Sequence, residues 1–125
     1  MKLVIFIILS CFFIDKPLTC EDFKKGTFDL PSANNSVHRI IRKSNKQIEI
    51  AEKDDIRSEF DIKWLDECTY ILYNGRITTK GKRNMSQYYK DTLYNQISNI
   101  SGNMCTVTSW FTGAKKLESK MFKIK

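Results

Sequence analysis

The chain has 125 residues, room for one modest domain, and 42% hydrophobic content, part of which sits in its first residues. Twenty-one Lys and Arg against 14 Asp and Glu give a formal charge of +7, which favours anionic partners such as membrane surfaces or polyanions without naming one. One histidine, and four cysteines with no Cys-x-x-Cys among them, argue against a zinc-type metal centre, so no metal and no cofactor is expected.

Residues 1–19 read as an address rather than as fold. Met1-Lys2 is a positive start, Leu3 to Ile14 is apolar apart from Ser10 and Cys11, and Asp15-Lys16-Pro17 ends the run. This is the pattern of a secretory signal, too short to cross a bilayer as a helix. Ile8-Leu9-Ser10-Cys11 has the form of a lipobox, which would make Cys11 a lipid anchor; the alternative is an ordinary cut near Thr19. Residues 20–125 are then a single β domain. It is expected in the periplasm, on the outer membrane as a lipoprotein, or secreted.

Phe23 to Phe28 reads as a first strand, with Gly26 marking a bulge or a close backbone approach. Leu30 to Ser36 reads as a loop. Val37 to Arg42 and Gln47 to Ala51 form a hairpin with Ser44-Asn45 at its tip. That register sets Arg42 diagonally across from Glu49, a pair worth a few tenths of a kcal/mol. Glu52 to Asp55 is a polar turn.

Ile56 to Tyr73 is the centre of the pattern. Phe60, Ile62 and Trp64 alternate with Asp61 and Lys63; after Asp66-Glu67, Thr69, Ile71 and Tyr73 alternate with Cys68, Tyr70 and Leu72. Period two on both sides of a short acidic break predicts an antiparallel hairpin. Asn74-Gly75 reads as the next turn and Ile77 to Gln87 as a polar, basic loop. Tyr88 to Leu93 fits either a short helix or a strand entry. Leu93 to Ile100, Met104 to Phe111 and Leu117 to Ile124 read as strands. About eight strands at ten-residue spacing suit an all-β protein, a small antiparallel up-and-down barrel or an open curved sheet. The last strand could pair with the first and close the barrel, which removes its edges.

Cysteines in an exported chain favour oxidation. With Cys11 lipidated or removed, Cys20, Cys68 and Cys105 remain, so one is left over. The expected pair is Cys20–Cys68, joining the start of the domain to the central hairpin, with Cys105 a buried thiol in an alternating run.

Three motifs in order carry a resemblance: Cys20-Glu-Asp-Phe-Lys-Lys-Gly-Thr-Phe28, then Gln47-Ile-Glu49, then Lys63-Trp-Leu-Asp-Glu-Cys-Thr-Tyr70. The chain resembles a family of small exported bacterial proteins with the pattern Cys-x-x-Phe-Lys-x-Gly-x-Phe, Gln-Ile-Glu, Lys-Trp-x-x-x-Cys-x-Tyr. The likeness is good over residues 20–75 and loose beyond. It implies a lipocalin-like run of antiparallel strands and a lipoprotein-type signal, supports the Cys20–Cys68 pairing, and brings no mechanism. Some members go under the name DNA topoisomerase IV. That activity needs a metal-binding acidic cluster, a tyrosine nucleophile and a large clamp, for which this domain has no room.

No catalytic constellation emerges. His38 lacks a metal-ligand or nucleophile neighbour and reads as a sheet residue. Asp54-Asp55 and Asp66-Glu67 are paired carboxylates, but glycoside chemistry needs two facing each other across a substrate at about 5–9.5 Å. Lys80, Lys82 and Arg83 form a basic patch suited to phosphate or lipid headgroups, or simply to solvent. Basic and aromatic residues on a sheet can also read nucleic acid, against which the export signal argues. Phe60, Trp64, Tyr70, Trp110 and Phe111 are candidates to line an apolar pocket, with core packing the plainer account. Asn34, Asn84 and Asn99 head Asn-x-Ser sequons, which matter only in a glycosylating host. The expected function is a non-enzymatic exported domain that binds an apolar small ligand or an envelope protein. The alternatives are a small carboxylate-dependent hydrolase and a polyanion or lipid-headgroup binder.

Overall fold

The structure, a computed structural model, describes residues 16–32 and 36–125. The signal segment up to residue 15, Cys11 and the Asn34 sequon lie outside the described residues.

A short 3-10 helix, Cys20–Phe23, precedes nine strands: β1 Gly26–Pro31, β2 Val37–Arg42, β3 Lys46–Ala51, β4 Ile56–Trp64, β5 Thr69–Lys80, β6 Arg83–Tyr88, β7 Leu93–Ser101, β8 Met104–Trp110 and β9 Leu117–Lys123. Eight of them close an antiparallel up-and-down barrel in the order β1-β2-β3-β4-β5-β7-β8-β9 and back to β1. β6 folds back on the outer half of β5 and stands beyond the wall. The open curved sheet is thereby set aside. The closing seam is short: Phe28 and Asp29 pair with Lys123 and Phe122, and Thr27 donates its N–H to the Lys125 carbonyl at 3.1 Å. A Cβ on Gly26 would sit 2.2 Å from that carbonyl oxygen, and its φ is +129°, so the close approach there requires glycine.

Both expected hairpins form; the first has the expected register, with Arg42 opposite Gln47, and the second sets Trp64 opposite Tyr70. Three readings are corrected. Asn74-Gly75 is not a turn: it lies inside β5, where Asn74 has φ +49° beside a register shift against β4. The rings of Phe60 lie where a Cβ on Gly75 would be, at 2.4 Å. The stretch after Ile77 is no loop but the β5–β6 hairpin, turning at Gly81. And Leu30-Pro31 continues β1 rather than starting a loop.

One end of the barrel is plugged. Phe23 is fully buried and stacks on Phe28 at 5.7 Å. The helix that carries it is held by the Cys20–Cys68 disulfide and by Lys123 Nζ, which donates to the Asp22 carbonyl at 2.6 Å. At its start, the Thr19 N–H donates to Asp22 Oδ2 at 2.8 Å. Phe28, Ile40, Ile62, Tyr70, Leu72, Ile97, Cys105, Val107 and Met121 fill the plugged half as a core. Among the described residues Cys105 is the free cysteine, and it is buried as expected. At the other end, where β1 meets β2, β3 meets β4 and β8 meets β9, the described residues leave a cavity.

Candidate functional site

Strand alternation decides what faces inward. On β2 the inner residues are Ile40 and Arg42; on β3 they are Gln47 and Glu49, so Ile48 and Ile50 point outward. The interior is therefore polar where β3 carries isoleucines that could have lined it. A sheet pays for such an inversion only if the polar groups find partners, and these do. Arg42 is 4% exposed. Its Nε donates to Gln47 Oε1 at 2.8 Å, one terminal nitrogen to the Phe23 carbonyl at 2.9 Å, and the other to the Tyr70 hydroxyl. The guanidinium also lies 4.3 Å from the Tyr70 ring centroid, with Phe28 and Trp64 further out. Gln47 passes the link on, donating from Nε2 to Glu49 Oε1 at 3.0 Å.

The chain guanidinium–carboxamide–carboxylate thus runs from the plug towards the mouth. Burial pushes the Glu49 pKa up, while Gln47, His38 and Arg42 favour its ionised form. Burial likewise raises the pKa of Tyr70, which keeps its phenol protonated beside Arg42. His38 stands at the end away from the plug on the inner face of β2, opposite Leu30.

Beside this chain lies a small cavity of about 80 Å³ with a mixed lining: Arg42, Gln47, Glu49, Asn95, Ser109 and Ser119 on the polar side, and Leu30, Ile40, Leu72, Val107 and Met121 among the apolar residues. Ser109 Oγ donates to Asn95 Oδ1 at 2.7 Å, and Asn95 Nδ2 to the Leu93 carbonyl at 3.1 Å. The mouth adds a second cavity of about 290 Å³, lined by Phe60, Tyr89, Phe111, Leu72, Leu93, Glu49, Lys90 and Asp91. Glu49, Leu72 and Leu93 belong to both linings, so the two cavities adjoin there. Phe60 and Tyr89 stack at 5.9 Å, and the Tyr89 N–H holds the Gly75 carbonyl at 2.7 Å.

The sequence candidates separate accordingly. Phe60 and Phe111 line the mouth, and Tyr70 lines the inner cavity. Trp64 packs against Tyr70 at the plugged end, the rings tilted by 42° with centroids 4.7 Å apart, outside both cavities. Trp110 is corrected: it has the parity of Met104 and Thr106, lies on the outer face and stacks on Tyr94 at 5.8 Å. Lys80 and Arg83 flank an open groove at the β5–β6 tip together with Asp54, and Lys82 stands exposed beside them. Asp54-Asp55 and Asp66-Glu67 sit in turns at opposite ends of β4, too far apart to face one substrate. Asp66 accepts the Cys68 N–H at 2.9 Å, which lowers its pKa. In the sequence, Asn95, Tyr89 and Leu93 carry no candidate role, and Gln47 and Glu49 stand out only as a motif and, for Glu49, as a diagonal partner of Arg42; in β3 it is the polar positions that face inward.

No group of three or more potential metal ligands occurs among the described residues, and no described helix is long and apolar enough to cross a membrane, which says nothing about strands. No protein-family model, curated protein or solved structure matches the chain.

Proposed function

We propose that this protein is a non-enzymatic, exported barrel that binds one small amphipathic molecule through its mouth. The carrying observation is the pair of adjoining cavities: an aromatic mouth that shares Glu49, Leu72 and Leu93 with a small inner chamber of mixed lining. An eight-stranded barrel is just wide enough to hold side chains or one small ligand, and ligand pockets pair apolar walls with a few placed polar groups. The volumes are small, so the ligand's body would sit in the mouth and its polar end would reach Glu49.

Export is part of the proposal. The disulfide is compatible with an oxidising compartment, and the signal pattern, with Cys11 as lipid anchor or with a cut near Thr19, supplies the route. Kinship with the small exported lipocalin-like family belongs to the same proposal. The separation of the two acidic pairs supports a binding role over a carboxylate hydrolase. The mixed charge at the β5–β6 tip gives the headgroup-binding alternative little support.

Native mass spectrometry of protein recovered from an envelope fraction tests the reading. Extra mass that leaves on denaturation supports it; a bare chain that also takes up no small amphiphile contradicts it. Mass that survives denaturation on a chain starting at Cys11 would establish the anchor.

A further inference from the structure

We infer that the ligand taken at the mouth is an organic cation, a protonated amine or quaternary ammonium on an aromatic or short aliphatic body, with Glu49 as its counter-ion. This rests on the ligand-binding reading above and names the ligand's class.

Glu49 is the ionisable group common to both linings. Its Oε1 accepts from Gln47, and its Oε2 takes no hydrogen bond from a described residue. A carboxylate in such a setting gains most from a cation delivered to it out of water. Neither nearby basic side chain fills that role: each of the three Arg42 nitrogens donates to a neutral acceptor at the plugged end, and His38, on the inner face of β2, acts on Glu49 through space with no hydrogen bond to it among the described residues. A ligand entering from the mouth passes Lys90 and Asp91 at the rim and then meets Glu49 before Arg42.

The walls agree. Phe60, Tyr89 and Phe111 surround the approach, and aromatic rings beside a carboxylate form the setting that holds ammonium groups. Beyond Glu49, the hydroxyl oxygens of Ser109 and Ser119 can accept N–H bonds, while Arg42, which lines the same chamber, keeps a cationic head at Glu49 rather than deeper. An anionic head would instead meet the Glu49 carboxylate, with Lys90 at the rim offset by Asp91 beside it.

Calorimetric titration of the signal-processed protein at pH 7 and low salt, with phenethylamine, 2-phenylethanol and phenylacetate, decides the matter. The three share a body and differ in the head. Phenethylamine should bind about tenfold or more tighter than the alcohol, and the carboxylate weakest. Glu49→Gln should bring the amine down to the level of the alcohol. Lys90→Glu, at an exposed rim position, should tighten the amine several-fold, and it keeps the test open if Glu49→Gln does not fold. Equal binding of amine and alcohol, preference for the carboxylate, or unchanged amine binding in Lys90→Glu overturns the cation inference while leaving a ligand site. Binding of none of the three overturns the ligand site itself.

Discussion

Arg42→Leu would cut the joint between the plug and the barrel. Arg42 alone reaches Gln47 on β3, Tyr70 on β5 and the Phe23 carbonyl of the end helix. Leucine leaves those three acceptors in a dry interior, each at a cost of about 1–3 kcal/mol. Relief of the guanidinium's own desolvation offsets part of this, and removing one partner of a buried polar set nets about 3–5 kcal/mol of destabilisation. Urea unfolding measures it, and with slopes of roughly 1–3 kcal/mol per molar the midpoint should fall by about 2 M. Tyr70→Phe removes one acceptor of the three and should cost about 1.5–3 kcal/mol. The double variant should cost less than the sum, with a coupling of about 1–3 kcal/mol. Loss of under about 1 kcal/mol in Arg42→Leu, or additive single effects, would refute the claim that this side chain ties the plug to the wall.

Other outcomes follow from the same structure. Cys20 and Cys68 are 48 positions apart, so the chain-entropy model gives their bond about 4 kcal/mol; Cys20→Ser with Cys68→Ser should lower the urea midpoint accordingly, and an unchanged midpoint would count against the plug as a stapled element. Glu49 has its pKa raised above 4.5 by burial, so the folded state holds the proton more tightly than the unfolded one. The stability tied to the protonated acid is then fully present below about 4.5 and lost as pH rises through the folded value. Glu49→Gln should therefore gain on the parent between pH 4 and pH 7, and a pH-independent difference would show that Glu49 is not desolvated. Burial pushes the Cys105 thiol up to about 11, so an alkylating reagent should leave it unmodified in the native protein and add one label after unfolding. Native labelling as fast as that of a free cysteine would mean that the core near β8 opens.

What was legible in the sequence is what alternation and polar tips record. The β2–β3 and β4–β5 hairpins have both, and both form, the first in the expected register. Asn74-Gly75 misled because a bulge and a turn use the same residue types. Asn74 takes the positive φ inside a strand, and Gly75 makes room for Phe60. The β5–β6 hairpin read as a loop because it stands outside the barrel, with no core-facing side to give it a hydrophobic period. Trp110 is one position out of phase with the inward residues of β8, and a single step reverses the face. The cavity was hardest to see. Inward Gln47 and Glu49 look in sequence like a solvated face with Ile48 and Ile50 as the core, and closure of the barrel reverses that reading. The places where local pattern and fold disagree are those where a site is to be sought. Tryptophan emission would also be a poor reporter of ligand, since Trp64 lies at the plug and Trp110 on the outer wall.

The most direct test of the central claim is amide chemical-shift mapping of the isotope-labelled, signal-processed protein during titration with 2-phenylethanol and phenethylamine. The account predicts saturable shifts at Glu49, Phe60, Leu72, Tyr89, Leu93 and Phe111, with the β5–β6 tip and the outer face around Trp110 unmoved. Shifts confined to the outer wall or the tip, or no saturable shifts with either compound, would contradict a ligand site at the barrel mouth.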